Sequence, residues 1–207
     1  MRIPEFSAYV FDVDGTLVDS AADICGAIQD VLAARHRIDV EDAFLRRYIG
    51  RHLIDLFQDL GYTPDQIEEL VVHYRQVYPA RNHRQTNPYA GIVDLLARLP
   101  GKKSTATTKG TPTTRLVLEM KGLLSYFDHV QGTDGFPAKP APDVIFRSLE
   151  GLGVRAEECL FVGDSPADME AGRRAGVKTC AVLWGYGDRE EMARWEPDYW
   201  VSDPGEW

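Results

Sequence analysis

Residues 8–17 read Ala8-Tyr9-Val10-Phe11-Asp12-Val13-Asp14-Gly15-Thr16-Leu17. A compact apolar run stops at Asp12, and Asp14 follows two residues on, beside a Gly15-Thr16 turn. A short run that is apolar at every position fits a strand covered on both faces, as in a parallel sheet. Carboxylates at the end of such a strand stand where open parallel sheets bind their ligands.

The same pattern recurs along the chain. Lys103-Ser104-Thr105-Ala106-Thr107 is rich in β-formers, Cys159-Leu160-Phe161-Val162 ends at Gly163-Asp164, Val177 to Leu183 is another apolar run, and Tyr199-Trp200-Val201 is a short last strand. Helical spacing lies between these runs. It appears in Ile92, Leu95, Leu96 and Leu99, then in Leu116, Val117 and Met120 after Thr111-Pro112. It returns in Val144, Ile145, Leu149 and Leu152 after Pro142-Asp143, where Asp143 reads as a helix-start residue. Ser165 is the expected N-cap of a helix over 166–175. The alternation predicts an α/β fold, a Rossmann-like doubly wound parallel sheet.

From Ala21 to Pro79 no strand is legible. Three amphipathic helices are expected there, marked by Ile24, Ile28, Val31 and Leu32, by Leu53, Leu56 and Phe57, and by Ile67, Leu70, Val71, Tyr74 and Tyr78. This predicts an inserted helical subdomain over 19–83 and a core built from 1–18 and 84–207.

Composition excludes several classes. With 44% hydrophobic and 27% charged residues the chain has the makings of a packed domain, not of a disordered one. Lys plus Arg is 23 against 32 Asp plus Glu, a net charge of −9, which disfavours general nucleic-acid binding but not a local basic site for a small anion. No apolar run reaches the ~20 residues of a membrane helix. The start Met1-Arg2-Ile3-Pro4-Glu5 has no secretory pattern. Cys25, Cys159 and Cys180 form no CxxC pair and read as buried or free thiols, so a cytoplasmic location is expected.

The strand ends gather Asp12 and Asp14, Thr107 and Thr108, and Asp164 and Asp168. Carboxylates converging on one point must share a proton or a cation. Oxygen ligands beside a phosphate favour Mg²⁺. Lys139 stands in a proline-fixed loop, Ala138-Lys139-Pro140-Ala141-Pro142-Asp143. Thr107 and Thr108 precede a helix whose first amides suit an anion. A cation, an ammonium, a hydroxyl and a carboxylate nucleophile together suit phosphoryl transfer through an aspartyl-phosphate.

Asp12-Val13-Asp14-Gly15-Thr16-Leu17, Thr107-Thr108-Lys109, Lys139-Pro140 and Gly163-Asp164-Ser165-Pro166-Ala167-Asp168 resemble, in order, the four motifs of the haloacid dehalogenase superfamily. Phe11 to Ser20, Tyr89 to Leu99, Lys139 to Asp143 and Gly185-Tyr186-Gly187 are similar to its phosphoglycolate phosphatases. The resemblance implies a Rossmann-like core with a helical cap inserted after the first motif. It makes Asp12 the nucleophile and Asp14 the general acid and base. Thr107 and Lys139 would hold the phosphoryl oxygens, with Thr108, which stands where the family usually has Asn, as the alternative to Thr107. Asp12, the backbone carbonyl of Asp14, and Asp164 would ligate Mg²⁺, supported by Asp168.

In the cap, Gly50-Arg51-His52 follows a helix expected to end at Tyr48-Ile49. Arg51 is a candidate partner for a substrate carboxylate, with helix capping as the plain alternative. His36, His73 and His83 read as surface residues, and Trp184, Trp195 and Trp200 as packing.

The expected activity is Mg²⁺-dependent phosphomonoester hydrolysis, with 2-phosphoglycolate the first substrate and a sugar phosphate, nucleotide or pyrophosphate the alternatives. A sugar-phosphate mutase of the superfamily usually has a His ten residues after the second Asp, where this chain has Ile24. A haloacid dehalogenase lacks the counterpart of Asp14 and needs no metal, and a non-catalytic interaction module would not need the intact carboxylate set. The partner expected is a small phosphorylated metabolite, and the chain a monomer or homodimer.

Overall fold

The structure is a computed structural model that describes residues 3–35 and 39–207. Strand β1, Ala8–Phe11, runs into the Asp12–Leu17 turn and then the two-residue strand β2, Val18–Asp19. Four helices follow: α1 (Ala21–Arg35), α2 (Asp42–Arg46), α3 (Leu53–Asp59) and α4 (Pro64–Ala80). The chain returns through β3, Asn87–Pro88, which pairs antiparallel with β2. The α/β alternation then resumes with α5 (Ile92–Arg98), β4 (Lys102–Thr105), α6 (Thr111–Met120) and α7 (Asp143–Leu152). It closes with β5 (Cys159–Gly163), α8 (Pro166–Ala175), β6 (Lys178–Val182), α9 (Arg189–Ala193) and β7 (Tyr199–Val201).

Five strands form one parallel sheet in the order β4-β1-β5-β6-β7. The first strand of the chain is internal, and its side chains sort by alternation. Tyr9 and Phe11 pack with Ile92, Leu95 and Leu96 of α5 and Val117 and Leu118 of α6. Ala8 and Val10 join Val144 and Ile145 of α7 and Ala171 of α8 on the other face. Both faces are covered, so every β1 residue is buried, as the uninterrupted apolar run required. The sheet and its two helical layers make this a doubly wound α/β fold.

Helices α1 to α4 surround an apolar cluster of their own, built on Ile28, Leu32, Leu45, Leu56, Phe57, Ile67 and Leu70. The three helices expected there are present, and α2 is the helix expected before Gly50. At five residues it is too short for a periodic signal, and only Leu45 is buried. The helix expected to end at Tyr48-Ile49 stops at Arg46. Turn-type bonds carry the chain on, from the Tyr48 amide to Leu45 O and from the Ile49 amide to Arg46 O, up to Gly50. Strand β4 ends at Thr105, two residues short of the reading; Thr107 makes only an isolated bridge to Gly132. Trp184, Trp195 and Trp200 pack against the core clusters, and Cys25, Cys159 and Cys180 are buried and free. No helix among the described residues is long and apolar enough to cross a membrane.

One histidine reading is corrected. His83 is fully buried, stacked edge-on against Tyr78 with ring centroids 4.9 Å apart, because the chain turns inward after α4 with Asn82 at φ 54° and His83 at φ 47°. Polar sequence neighbours hid this, since they face outward while the ring does not. His73 is partly exposed, and His36 lies outside the described residues. Burial, then the nearby Lys109 ammonium, hold the His83 imidazole below its ordinary value of 6.5.

The sign of the consequence is fixed. Below 6.5 the unfolded chain takes up a proton that the buried ring refuses, so His83 costs stability as the pH falls and nothing above that point. His83→Asn keeps a side chain that tolerates positive φ and removes this proton. Urea unfolding of both proteins between pH 7.5 and 5.5 should show the wild type losing stability relative to the variant; a constant difference would contradict the assignment.

Candidate active site

The turn after β1 brings the first carboxylates into place. Asp12 is 1% exposed; its Oδ1 accepts a hydrogen bond from Lys139 Nζ at 2.7 Å, while its Oδ2 is buried with no partner. Lys139 arrives on the loop before α7 and is also buried. Its other protons go to the carbonyl of Ala106 at 2.9 Å and to Asp168 Oδ1 at 2.5 Å. Asp168 occupies the first turn of α8. Its Oδ2 accepts from the backbone N–H and hydroxyl of Ser165, at 3.0 and 2.6 Å, while the Ser165 hydroxyl caps the Asp168 amide. The expected N-cap is therefore present, and the same reciprocal bonds orient Asp168 toward the ammonium.

Asp164 follows β5 and completes the group. Its Oδ1 accepts from the Thr16 hydroxyl at 3.1 Å and its Oδ2 from the Tyr186 backbone amide at 2.8 Å. Two glycines make room for it. Gly15 holds φ at +94°, and a Cβ there would strike the Asp164 carboxyl. A Cβ on Gly185 would collide with that carboxyl and with the Gly15 carbonyl.

Asp12, Asp164 and Asp168 each offer an oxygen within 4.8 Å of the others. Three carboxylates against the Lys139 ammonium leave the cluster short of positive charge. Burial pushes Asp12 up to about 7, with Lys139 pulling the other way and Asp168 adding to the rise. Burial, then Asp168 and Asp12, pushes Asp164 up to about 8. Burial works against the Lys139 charge, but Asp12 and Asp168 outweigh it and hold the ammonium above its ordinary value. A buried, unpartnered carboxylate oxygen among hard oxygen donors fits a divalent cation.

The Asp14 side chain turns away from this cluster. Its Oδ1 accepts from the Ser20 hydroxyl at 2.6 Å, and its Oδ2 lies 3.0 Å from Lys109 Nζ. Lys109, in the sequence simply the neighbour of Thr107 and Thr108, supplies a second largely buried ammonium. Its amine also donates to the Tyr78 hydroxyl at 2.8 Å, so it joins the sheet side of the site to α4. A polar residue beside two threonines gave no sign of this; only the fold brings it to Asp14.

Thr107 is buried, and its Oγ1 accepts from the Lys109 amide at 3.3 Å. Thr108 is half-buried, and its hydroxyl points to the Gly50 carbonyl of the helical block at 3.4 Å. A cavity of about 780 Å³ opens between the helical block and the sheet, lined by Asp14, Thr108 and Lys109 below and by Ile24, Tyr74, Tyr78 and Phe136 among others. Arg51 also borders the cavity; it leans on the Tyr48 ring and sits 3.7 Å from Glu191 of α9, still about half exposed. The capping of α3 falls to His52, whose Nδ1 accepts from the Ile54 amide.

Tyr186 ties the two halves together. Its hydroxyl accepts from the Ser20 and Ala21 amides at the start of α1 and donates to Asp19 Oδ1 at 2.6 Å, while its own amide holds Asp164.

Residues 9–182 match the haloacid dehalogenase-like hydrolase family. The chain belongs to that family. It is 34% identical over 202 residues to a phosphoglycolate phosphatase of Aquifex aeolicus, covering 95% of this chain and 92% of that one. It is 29% identical over 201 residues to the pyrophosphatase PpaX of Halalkalibacterium halodurans, covering 94% and 92%. Among solved structures, a haloacid dehalogenase-like family hydrolase from Streptococcus pneumoniae superposes with a TM-score of 0.91 at 29% identity, over 97% of this chain and 96% of that one. This haloacid dehalogenase-like hydrolase is thus a phosphatase of the phosphoglycolate phosphatase-like type, and its mostly parallel sheet with flanking helices is the fold of its relatives.

Gly185→Ala tests how tightly the carboxylate cradle is drawn. The added methyl must push Asp164 from Gly15, which is expected to cost about 1–3 kcal/mol of stability in EDTA. It should also abolish most of the rise in melting temperature expected of the wild type in millimolar MgCl₂. A variant that melts like the wild type under both conditions would show that the cradle is loose.

Proposed function

We propose that this phosphatase hydrolyses small phosphomonoesters with Mg²⁺ and an aspartyl-phosphate intermediate on Asp12, and that 2-phosphoglycolate is its substrate. The observation that carries the reading is the unpartnered Oδ2 of Asp12, buried beside Lys139, Asp164 and Asp168.

Asp12 Oδ2 attacks phosphorus in line with the bridging P–O bond, which breaks as the P–O bond to Asp12 forms. The leaving oxygen takes a proton from Asp14, which Ser20 and Lys109 hold at the cavity floor. Water then enters, gives a proton to Asp14 and attacks the phosphorus. The bond to Asp12 breaks, and its carboxylate and inorganic phosphate are released. Lys139 holds Asp12 in place and offsets its charge, and Thr107 or Thr108 steadies the phosphoryl oxygens. Asp12, Asp164 and the Asp14 carbonyl would hold Mg²⁺, with Asp168 behind them, bonded to Ser165 and Lys139. When bound, the ion supplies the positive charge that lets a carboxylate approach a phosphate dianion. Ile24 lines the cavity from α1 and offers no proton acceptor, which favours water over a second sugar hydroxyl in the second step.

The decisive experiment is phosphate release from 2-phosphoglycolate, pyrophosphate, sugar phosphates and nucleotides, with and without EDTA. Release is expected to need Mg²⁺. Asp12→Asn should lower kcat by at least about 10³-fold while the protein stays folded. Near-normal turnover in that variant would refute the nucleophile.

A further inference from the structure

The site holds two buried ammonium groups with unequal commitments. Lys139 spends its three N–H donors on Asp12, Asp168 and the Ala106 carbonyl, and faces two carboxylates. Lys109 faces one carboxylate, Asp14, and one neutral hydroxyl, that of Tyr78. Its third N–H has no acceptor among the described residues, and its side chain, 9% exposed, lines the cavity. An ammonium carries three donors, so Lys109 keeps one for a ligand.

Position then sets what that ligand is. Asp14 serves the bridging oxygen, and Lys109 Nζ is 3.0 Å from its Oδ2. Whatever is bonded to the bridging oxygen on the leaving side therefore comes to rest beside Lys109. We propose that Lys109 is a specificity-determining residue that pairs with an anionic group one or two bonds beyond the bridging oxygen, so that the substrates are phosphate esters and anhydrides whose leaving group is itself an anion. This rests on the phosphatase reading above and narrows it. The carboxylate of 2-phosphoglycolate and the second phosphate of pyrophosphate meet the same requirement, although their geometries differ. Tyr78 is the positioning residue: its hydroxyl fixes the amine from α4, and its ring lies 4.5 Å from the ammonium.

The test compares 2-phosphoglycolate with its neutral amide, 2-phosphoglycolamide, which has nearly the same shape. The wild type should prefer the acid. Lys109→Met should lower kcat/KM on the acid about 10- to 100-fold more than on the amide, the value of one hydrogen bond between charged groups. Tyr78→Phe, which keeps the charge and removes only its tether, should move the same ratio in the same direction by less. Calorimetry in an Asp12→Asn background should show the same loss of affinity for the acid alone. Equal losses on acid and amide, or a wild type indifferent to the two, would overturn the subsite and leave the phosphatase reading standing. If the wild type released phosphate from neither ester nor from any of the panel, both readings would fall.

Discussion

A deficit of positive charge in a dry place governs this molecule. Asp12, Asp164 and Asp168 are all buried and within reach of one another, and among the described residues Lys139 is the one cation paired with them. Isolated buried charge is among the most expensive things a fold can hold. Much of the surrounding structure reads as containment of that cost. The Ser165 cap turns Asp168 toward the ammonium, the Tyr186 amide and Thr16 hydroxyl restrain Asp164, and the glycines on either side let the loops close on it. One oxygen, Asp12 Oδ2, is left unsatisfied. A group that is kept reactive has to be withheld from the contacts that would stabilise it.

The sheet was legible because burial on two faces leaves an unmistakable trace. Strand β1, apolar at every position, and the helix after Ser165 needed no tertiary information. The elements that escaped are those whose existence depends on contacts. Strands β2 and β3 have two residues each, and neither has an apolar alternation. Helix α9 spans five residues, little more than one turn. The candidate site divides the same way. The carboxylates after β1 and β5 and the proline-flanked Lys139 stood out by type and spacing, and the fold gathers them. Lys109 and the inward ring of His83 did not, because their roles come from Tyr78 and Asp14, far off in sequence.

Two threads join the helical block to the chemistry, and they differ in kind. The Tyr186 hydroxyl fastens the first turn of α1 to the Asp164 loop by neutral bonds to backbone amides and a bond to Asp19. The Tyr78–Lys109–Asp14 chain is charged and lies on the cavity wall. The second ties Asp14, the proposed acid–base group, to the position of α4.

The antiparallel contact of Val18–Asp19 with Asn87–Pro88 frees the length of the chain between them. The outgoing and incoming backbones run side by side, so the sheet is presented with the same narrow stem whatever is carried above it. Entropy of loop closure grows only logarithmically with the number of residues enclosed. Residues can therefore be added to or taken from that appendage at little entropic cost, with the stem and the sheet beneath it unchanged.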